Sequence, residues 1–243
     1  MKQNFFAVLF FSAILLLGCS KSSSTKPVNS NKVYLLKSST SVTANGLLTV
    51  TNQYSYDEKN RVTELKVSVG NRYKYTYDDN NNLATVVTYN ENDILQTSDK
   101  YVYTGNVITV NSSTPDPGIT NTYSFTLSSQ KQVVSSSLEG SQQFTYDAIG
   151  NLAGYAQCCV LKQSDTYQYD DKKHPLSMIG ARNFSLMFLM GTPVSFINNV
   201  TKDVGLGAIT TYVYNSDGFP TSSIVTNSDR TGNPSTTFQY LIK

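Results

Sequence analysis

Tyr54-Ser55-Tyr56-Asp57-Glu58-Lys59-Asn60-Arg61-Val62 carries the pattern that decides the fold: two aromatics two residues apart, an Asp, a short polar turn and an apolar residue. The pattern returns as Tyr75-Thr76-Tyr77-Asp78, Phe144-Thr145-Tyr146-Asp147, Tyr167-Gln168-Tyr169-Asp170 and Tyr212-Val213-Tyr214-Asn215. Looser copies stand at Tyr101-Val102-Tyr103, Tyr123-Ser124-Phe125 and Phe238-Gln239-Tyr240. Most steps between leading aromatics are 21 to 26 residues, and the single step of 45 reads as two periods. A fixed period of this size marks one supersecondary unit copied along the chain.

Each unit reads as a strand, a turn and a returning strand. Tyr54 and Tyr56 share one face of a strand with Leu48 and Val50 behind them, because side chains alternate with period two. The Asp opens the turn as an Asx-turn, its carboxylate accepting a backbone N–H two residues on. Three residues after it stand Asn60, Asn81, Gly150, Lys173 and Gly218. Asn and Gly are the residues that tolerate φ > 0, which a type I turn closed by a left-handed residue demands. Val62, Leu83 and Leu152 then start the return strands. Asn45-Gly46 and Gly105-Asn106 mark further hairpins, Glu139-Gly140 another, and Pro115-Asp116-Pro117-Gly118 a longer turn.

The expected fold is all-β, an antiparallel meander of about 15 strands curled into a barrel or half-barrel, since open sheets rarely exceed about ten strands and closure removes exposed edges. The strands are rich in Ser, Thr and Asn and lack the continuous apolar alternation of a membrane-crossing wall.

The N-terminus addresses the chain. Met1-Lys2-Gln3-Asn4 precedes an apolar run from Phe5 to Leu17, the form of a secretory signal. It ends in Leu16-Leu17-Gly18-Cys19, which resembles a bacterial lipobox and implies cleavage before Cys19 and acylation there. The organisation expected is therefore a signal peptide over 1–18, a flexible tether over 19–32 rich in Ser, Thr, Lys, Pro and Asn, and one β domain over 33–243. The mature chain keeps 18 of 19 basic and all 17 acidic residues, a net charge of +1. No basic run lies outside the tether, which argues against a nucleic-acid partner.

Catalytic and cofactor signals are weak. The repeated Asp57, Asp78, Asp147 and Asp170 are explained by their place in turns rather than by calcium. His174 is the single histidine and has no second to complete a zinc site. Gly205-Leu206-Gly207 lacks the third glycine of a dinucleotide fingerprint. No nucleophile elbow, Walker or zinc-protease motif is present, so the chain is read as a non-enzyme with no cofactor and no metal. Cys158 and Cys159 point to opposite faces of a strand and are read as separate thiols, with a vicinal redox disulfide as the alternative that an exported chain permits. The long step contains three of the four methionines, in Leu176-Ser177-Met178-Ile179 and Phe184-Ser185-Leu186-Met187-Phe188-Leu189-Met190. Residues 176–197 read either as an internal plug or as a lip on an apolar cavity, since Met adapts to varied surfaces.

The Tyr-Asp hairpins resemble the YD repeats of Rhs-type proteins, whose strands coil into a β-shell. With the lipobox, Tyr169-Asp170-Asp171-Lys172-Lys173-His174-Pro175, Asn198-Asn199-Val200-Thr201-Lys202 and Tyr212-Val213-Tyr214-Asn215-Ser216-Asp217-Gly218-Phe219-Pro220, the chain is similar over residues 33 to 243 to a Bacteroidetes lipoprotein family of unknown function. The resemblance implies a porin-like fold and binding of lipid. Surface-exposed lipoproteins of such bacteria carry acids just after the Cys. Lys21 and Lys26 here favour the periplasmic side of the outer membrane, with the cell surface as the alternative. The expected function is non-catalytic: an outer-membrane-tethered lipoprotein whose Tyr-lined shell binds a lipid or other amphiphile, each ring offering apolar area and a polar tip. The candidate lining is Tyr54, Tyr56, Tyr75, Tyr77, Tyr101, Tyr103, Tyr146 and Tyr169, with Met187 and Met190 at the lip. The alternatives are a carbohydrate- or protein-binding module and a structural scaffold.

Overall fold

The computed structural model describes residues 32–116, 118–138, 141–157, 163–180, 197–227 and 232–243. Every regular element among them is a strand: β1 (Tyr34–Val42), β2 (Thr49–Tyr56), β3 (Val62–Val67), β4 (Arg72–Tyr77), β5 (Leu83–Tyr89), β6 (Leu95–Thr104), β7 (Val107–Ser113) and β8 (Thr120–Leu127) in the first half. The second half holds β9 (Val133–Ser136), β10 (Gln142–Tyr146), β11 (Leu152–Gln157), β12 (Gln163–Tyr169), β13 (Val200–Asp203), β14 (Ala208–Tyr214), β15 (Pro220–Asn227) and β16 (Ser235–Ile242). Each strand pairs antiparallel with its sequence neighbours, and β1 pairs with β16, so the meander closes into a barrel. Closure, rather than a half-barrel, leaves no edge strand to template aggregation.

The Tyr-Asp turns all lie on one rim, here the Tyr-Asp rim. After β2, the Asp57 N–H donates to the Arg61 carbonyl and the Asn60 N–H to the Asp57 carbonyl, both at 3.0 Å. Asp57 Oδ1 accepts from the N–H of Lys59 and of Arg61 at 2.9 Å. The same side-chain bonds start from Asp78, Asp147 and Asn215. The closing residue is left-handed as the turn type demands, with φ of 60° at Asn60, 64° at Asn81, 102° at Gly150 and 81° at Gly218. The turns opened by Asn90 and Ser128 follow the same plan with Asp93 and Lys131 at that position.

The second aromatic of these motifs falls where the strand register shifts, as at Ser55/Tyr56, Thr76/Tyr77 and Thr145/Tyr146. A bulge there increases local twist and re-aims the side chain. Its hydroxyl reaches one hairpin back. Tyr56 donates to the Leu36 carbonyl, Tyr77 to Val62, Tyr103 to Leu83 and Tyr146 to Val133, all at 2.8 Å. Tyr169 donates to Leu152 at 2.7 Å and Tyr240 to Pro220 at 2.8 Å. These bonds tie each hairpin to its predecessor independently of the strand ladder.

The step of 45 residues is one repeat with an excursion, not two repeats. Asp170 leaves β12, and the chain returns at Asn199. The Asp170 N–H donates to the Asn199 carbonyl and the Asn199 N–H to Asp170 Oδ1, both at 3.1 Å. Asn199 Nδ2 donates to the same carboxylate at 3.2 and 3.3 Å. Asn199 thereby takes the position that Asn82 and Asn151 hold in ordinary turns. Lys173 is displaced into the excursion, where its N–H donates to the Gly218 carbonyl at 3.1 Å.

The near half of the excursion is a plug. Leu176 and Ile179, 3% and 2% exposed, join the interior cluster beneath the Tyr-Asp rim. The Gly180 N–H bonds the Asn60 carbonyl at 2.9 Å, and a Cβ at Gly180 would lie 2.1 Å from the Lys59 oxygen. Phe219 is fully buried, stacked on Tyr34 at 4.6 Å, and Lys173 Nζ stands 5.0 Å from its ring centre. The seam of the barrel closes on the same rim, where Val33 and Lys243 exchange both backbone bonds at 3.0 Å.

Candidate functional site

The barrel interior is the candidate site. A barrel of about 8 strands is filled by its own side chains, whereas 16 to 18 leave a channel. With 16 strands this wall belongs to the wider class, and the described part of the excursion covers one end of it. The opposite rim carries no such plug among the described residues. There the inward side chains Asn52, Tyr73, Tyr123, Tyr155 and Tyr167 are only half-buried. At that mouth a recess of about 370 Å³ lies between Ser41, Val50, the Thr43–Asn45 turn and Pro234.

The inner face grades from apolar to polar along the axis. Near the plug stand Val62, Leu83, Ile108, Val133 and Leu152, each 2% exposed or less. The outer face is mostly polar, with Gln53, Ser55, Lys74, Thr76, Lys100, Thr126, Gln143, Thr145 and Gln168 exposed, interrupted by exposed Val102 on β6 and by Ile209, Val213, Ile224 and Leu241 on β14 to β16. Thr40–Thr51 and Thr76–Thr85 pairs at 3.1 and 2.7 Å cross it from strand to strand.

All eight candidate tyrosines face inward, in two roles. Tyr54, Tyr75 and Tyr101 lie in the wall, 7%, 4% and 7% exposed. Tyr56, Tyr77, Tyr103, Tyr146 and Tyr169 present ring faces to the interior cluster while their hydroxyls serve the wall's own carbonyls. Burial pushes the Tyr54 phenol up to about 12, against a Ser39 hydrogen bond that lowers it. It pushes Tyr146 up to about 12 as well, and raises Tyr75, Tyr77, Tyr101, Tyr103 and Tyr169. The phenols are therefore neutral and act by contact and hydrogen bonding. Cys19, Cys158, Cys159, Met187 and Met190 lie outside the described residues.

Three inward aspartates complete the lining, and the sequence reading missed them. Asp99 lies in one cross-strand row, Tyr75–Val86–Asp99–Ser112, over β4 to β7. Burial raises its carboxyl while a Ser112 hydrogen bond opposes the rise. Its Oδ1 and the Tyr75 hydroxyl are both buried without a hydrogen-bond partner. Tyr123, one row on, shares a hydrogen bond with Tyr101. Asp165 faces inward opposite Tyr155, and Asp203 opposite Tyr167. Burial, then the charge of Asp203, raises the Asp165 carboxyl. Asp203 Oδ1 accepts the Leu206 N–H at 2.9 Å. A signal was available: Asp99 and Asp165 stand two residues before the leading aromatics Tyr101 and Tyr167, hence on the same face.

The remaining candidates have local structural roles. The turn aspartates hold backbone N–H groups, and among the described residues no group of three or more His, Cys, Asp or Glu is placed to hold a metal ion. Desolvation keeps His174 neutral, and its Nδ1 accepts the Leu176 N–H at 3.1 Å.

No protein-family model matches the chain, and no curated protein matches it. The fold is similar to that of a porin-like protein from Bacteroides uniformis, with a TM-score of 0.56 and 14% identity over 86% of this chain and 97% of that one. A porin-like protein from Bacteroides vulgatus aligns with a TM-score of 0.44 and 9% identity over 86% of this chain and 99% of that one. At these identities the first likeness establishes the barrel fold alone.

Proposed function

We propose that the barrel is a non-catalytic container for an amphiphile, tethered to the outer membrane through an acylated Cys19 and facing the periplasm. The observation that carries the reading is the polarity of the wall. A barrel that crosses a membrane turns apolar residues to the lipid and polar ones to its lumen. Most of this wall does the reverse, with Ser, Thr, Gln and Lys prevailing outside, where aliphatic side chains are scattered on β6 and β14 to β16, and aliphatic and tyrosine side chains clustered inside. An apolar interior within a 16-strand wall, stopped by Leu176 and Ile179 at one rim and half-exposed at the other, suits a molecule with an apolar body and a polar end.

The test is uptake of the neutral fluorescent amphiphile N-phenyl-1-naphthylamine by the full chain carrying Cys19→Ala, purified without detergent. A saturable rise in fluorescence at micromolar probe supports the reading. No saturable rise from a sample with intact β-sheet circular dichroism removes it. A protein-binding module is the second reading, favoured by aliphatic tips on the turns of the open rim. Leu47 is 85%, Ile94 58%, Ile119 50% and Leu206 54% exposed.

A further inference from the structure

Among the described residues, the chargeable side chains that the strands turn to the inner wall are of one sign. Asp99, Asp165 and Asp203 face inward, whereas the described lysines and arginines of the strands do not. Lys74 and Lys100 are exposed on the outer face. Arg72 pairs there with Glu64 at 3.5 Å and Asp93 at 2.9 Å. Among the described residues, a ligand inside the barrel away from the plugged rim therefore meets carboxylates and phenols with no strand cation to offset them.

One stretch of this wall is incomplete. Tyr75 is 4% exposed and its hydroxyl has no partner. Two strands away in the same row, Asp99 Oδ1 is also buried without a partner, although Ser112 bonds the carboxylate. Buried polar atoms left unpaired are costly and infrequent in folded proteins. An ionised carboxylate oxygen can only accept, so the missing group at Asp99 must be a donor. Tyr75 can give or take, which matches a hydroxyl or amine able to bridge the row. A carboxylate or phosphate would place like charges together in a site of low dielectric.

We propose that the row Tyr75–Val86–Asp99–Ser112 is the head-group subsite of the container and selects a donor head, an amine or a hydroxyl, over an anionic one. Val86, 4% exposed, and the Tyr101 ring form the apolar surface beside it. Asp165 and Asp203 add to the negative potential of the interior from another part of the wall. The proposal rests on the container reading and sharpens it: simple fatty acids are poor ligands of this barrel.

The experiment is displacement of the neutral probe from the full Cys19→Ala chain by dodecylamine, dodecan-1-ol and dodecanoate, each below its micelle concentration. Dodecylamine is expected to displace the probe at a concentration at least about tenfold lower than dodecanoate, with dodecan-1-ol between them. Asp99→Asn, which keeps the shape, should cut the amine-to-carboxylate ratio by at least about threefold, the ratio being corrected for the variant's own probe affinity. Tyr75→Phe should weaken both dodecan-1-ol and dodecylamine and leave dodecanoate unchanged. Equal displacement by amine and carboxylate in the parent overturns the subsite, as does a ratio unchanged in Asp99→Asn. If the probe binds without head-group preference, only the subsite falls. If neither probe nor dodecylamine binds, the container reading falls and takes the subsite with it.

Discussion

Tyr75 and Tyr77 sit two residues apart on the same face of β4, yet removing their hydroxyls should move stability in opposite directions. Tyr77 donates to the Val62 carbonyl at 2.8 Å, and Val62 is 1% exposed, so that carbonyl has no route to water. Tyr77→Phe leaves a buried acceptor unpaired, which costs about 1–3 kcal/mol, and the depth of Val62 places the loss near about 2 kcal/mol. For a chain of this size each kcal/mol shifts the midpoint by about 2–4 °C, so melting should fall by about 4–8 °C. Tyr75 has an unpaired hydroxyl. Tyr75→Phe removes a buried polar atom without orphaning another, and the ligand-free protein should gain about 1 kcal/mol. Tyr169→Phe, remote from both, should repeat the Tyr77 loss and add to it in the double variant. The assay is urea denaturation followed by far-UV circular dichroism on the Cys19→Ala background. If Tyr75→Phe falls as far as Tyr77→Phe, the hydroxyl-to-carbonyl ties are not what binds hairpin to hairpin.

The turns should rank by space as well as by φ. A Cβ at Gly218 meets nothing within 4 Å, so Gly218→Val pays only left-handed strain of about 1–2 kcal/mol. At Gly150 a Cβ would stand 3.1 Å from both Gln132 and Ile197, so Gly150→Val should lose more in the same denaturation series. Acid should weaken the Tyr-Asp rim. Burial alone would raise the Asp147 carboxyl, but Asn151, through its side chain and N–H, and the Gly150 and Ile149 N–H groups outweigh it and hold the pKa low. A folded pKa below the unfolded one gives stability that is complete above about pH 4 and is lost as pH falls through the lowered value. Asp147→Asn keeps the acceptor that Asn215 uses in its own turn and should flatten that acid limb, which a pH series of melting curves reads directly. Cys19→Ala should move the protein from the membrane fraction to the soluble one, and retention after a carbonate wash would refute anchoring by acylation.

Local chemistry was readable from sequence and long-range register was not. The left-handed closing residues Asn60, Asn81, Gly150 and Gly218 follow from the Asp, or for Gly218 the Asn, three positions earlier, and all-β hairpin repeats follow from those turns. The expectation failed at Lys173 because the bond that closes its turn comes from Asn199, and no local rule pairs residues so far apart. The tyrosines were correctly placed on one face, since period two is local. That the second hydroxyl of six of the motifs serves the preceding hairpin depends on the shear of neighbouring hairpins, which the barrel sets as a whole. Asp99 and Asp165 were within reach of the same period-two rule, but only once the aromatic face was known to be the inside of a closed wall.

The Asp170–Asn199 turn shows what the barrel tolerates. An ordinary turn joins its Asp and Asn across four positions, and here the same two side chains meet across 29 without loss of the hydrogen bonds. Closing a loop about seven times longer costs only about 2 kcal/mol of chain entropy, and buried Leu176 and Ile179 recover part of it. Each Tyr-Asp turn with an Asn in the closing place is thus an insertion port: Asp78–Asn82 and Asp147–Asn151 can accept a grafted segment of similar length while the strands on either side keep their register. A new lid, or a recognition loop for a chosen partner, could be built onto this rim without redesigning the wall beneath it.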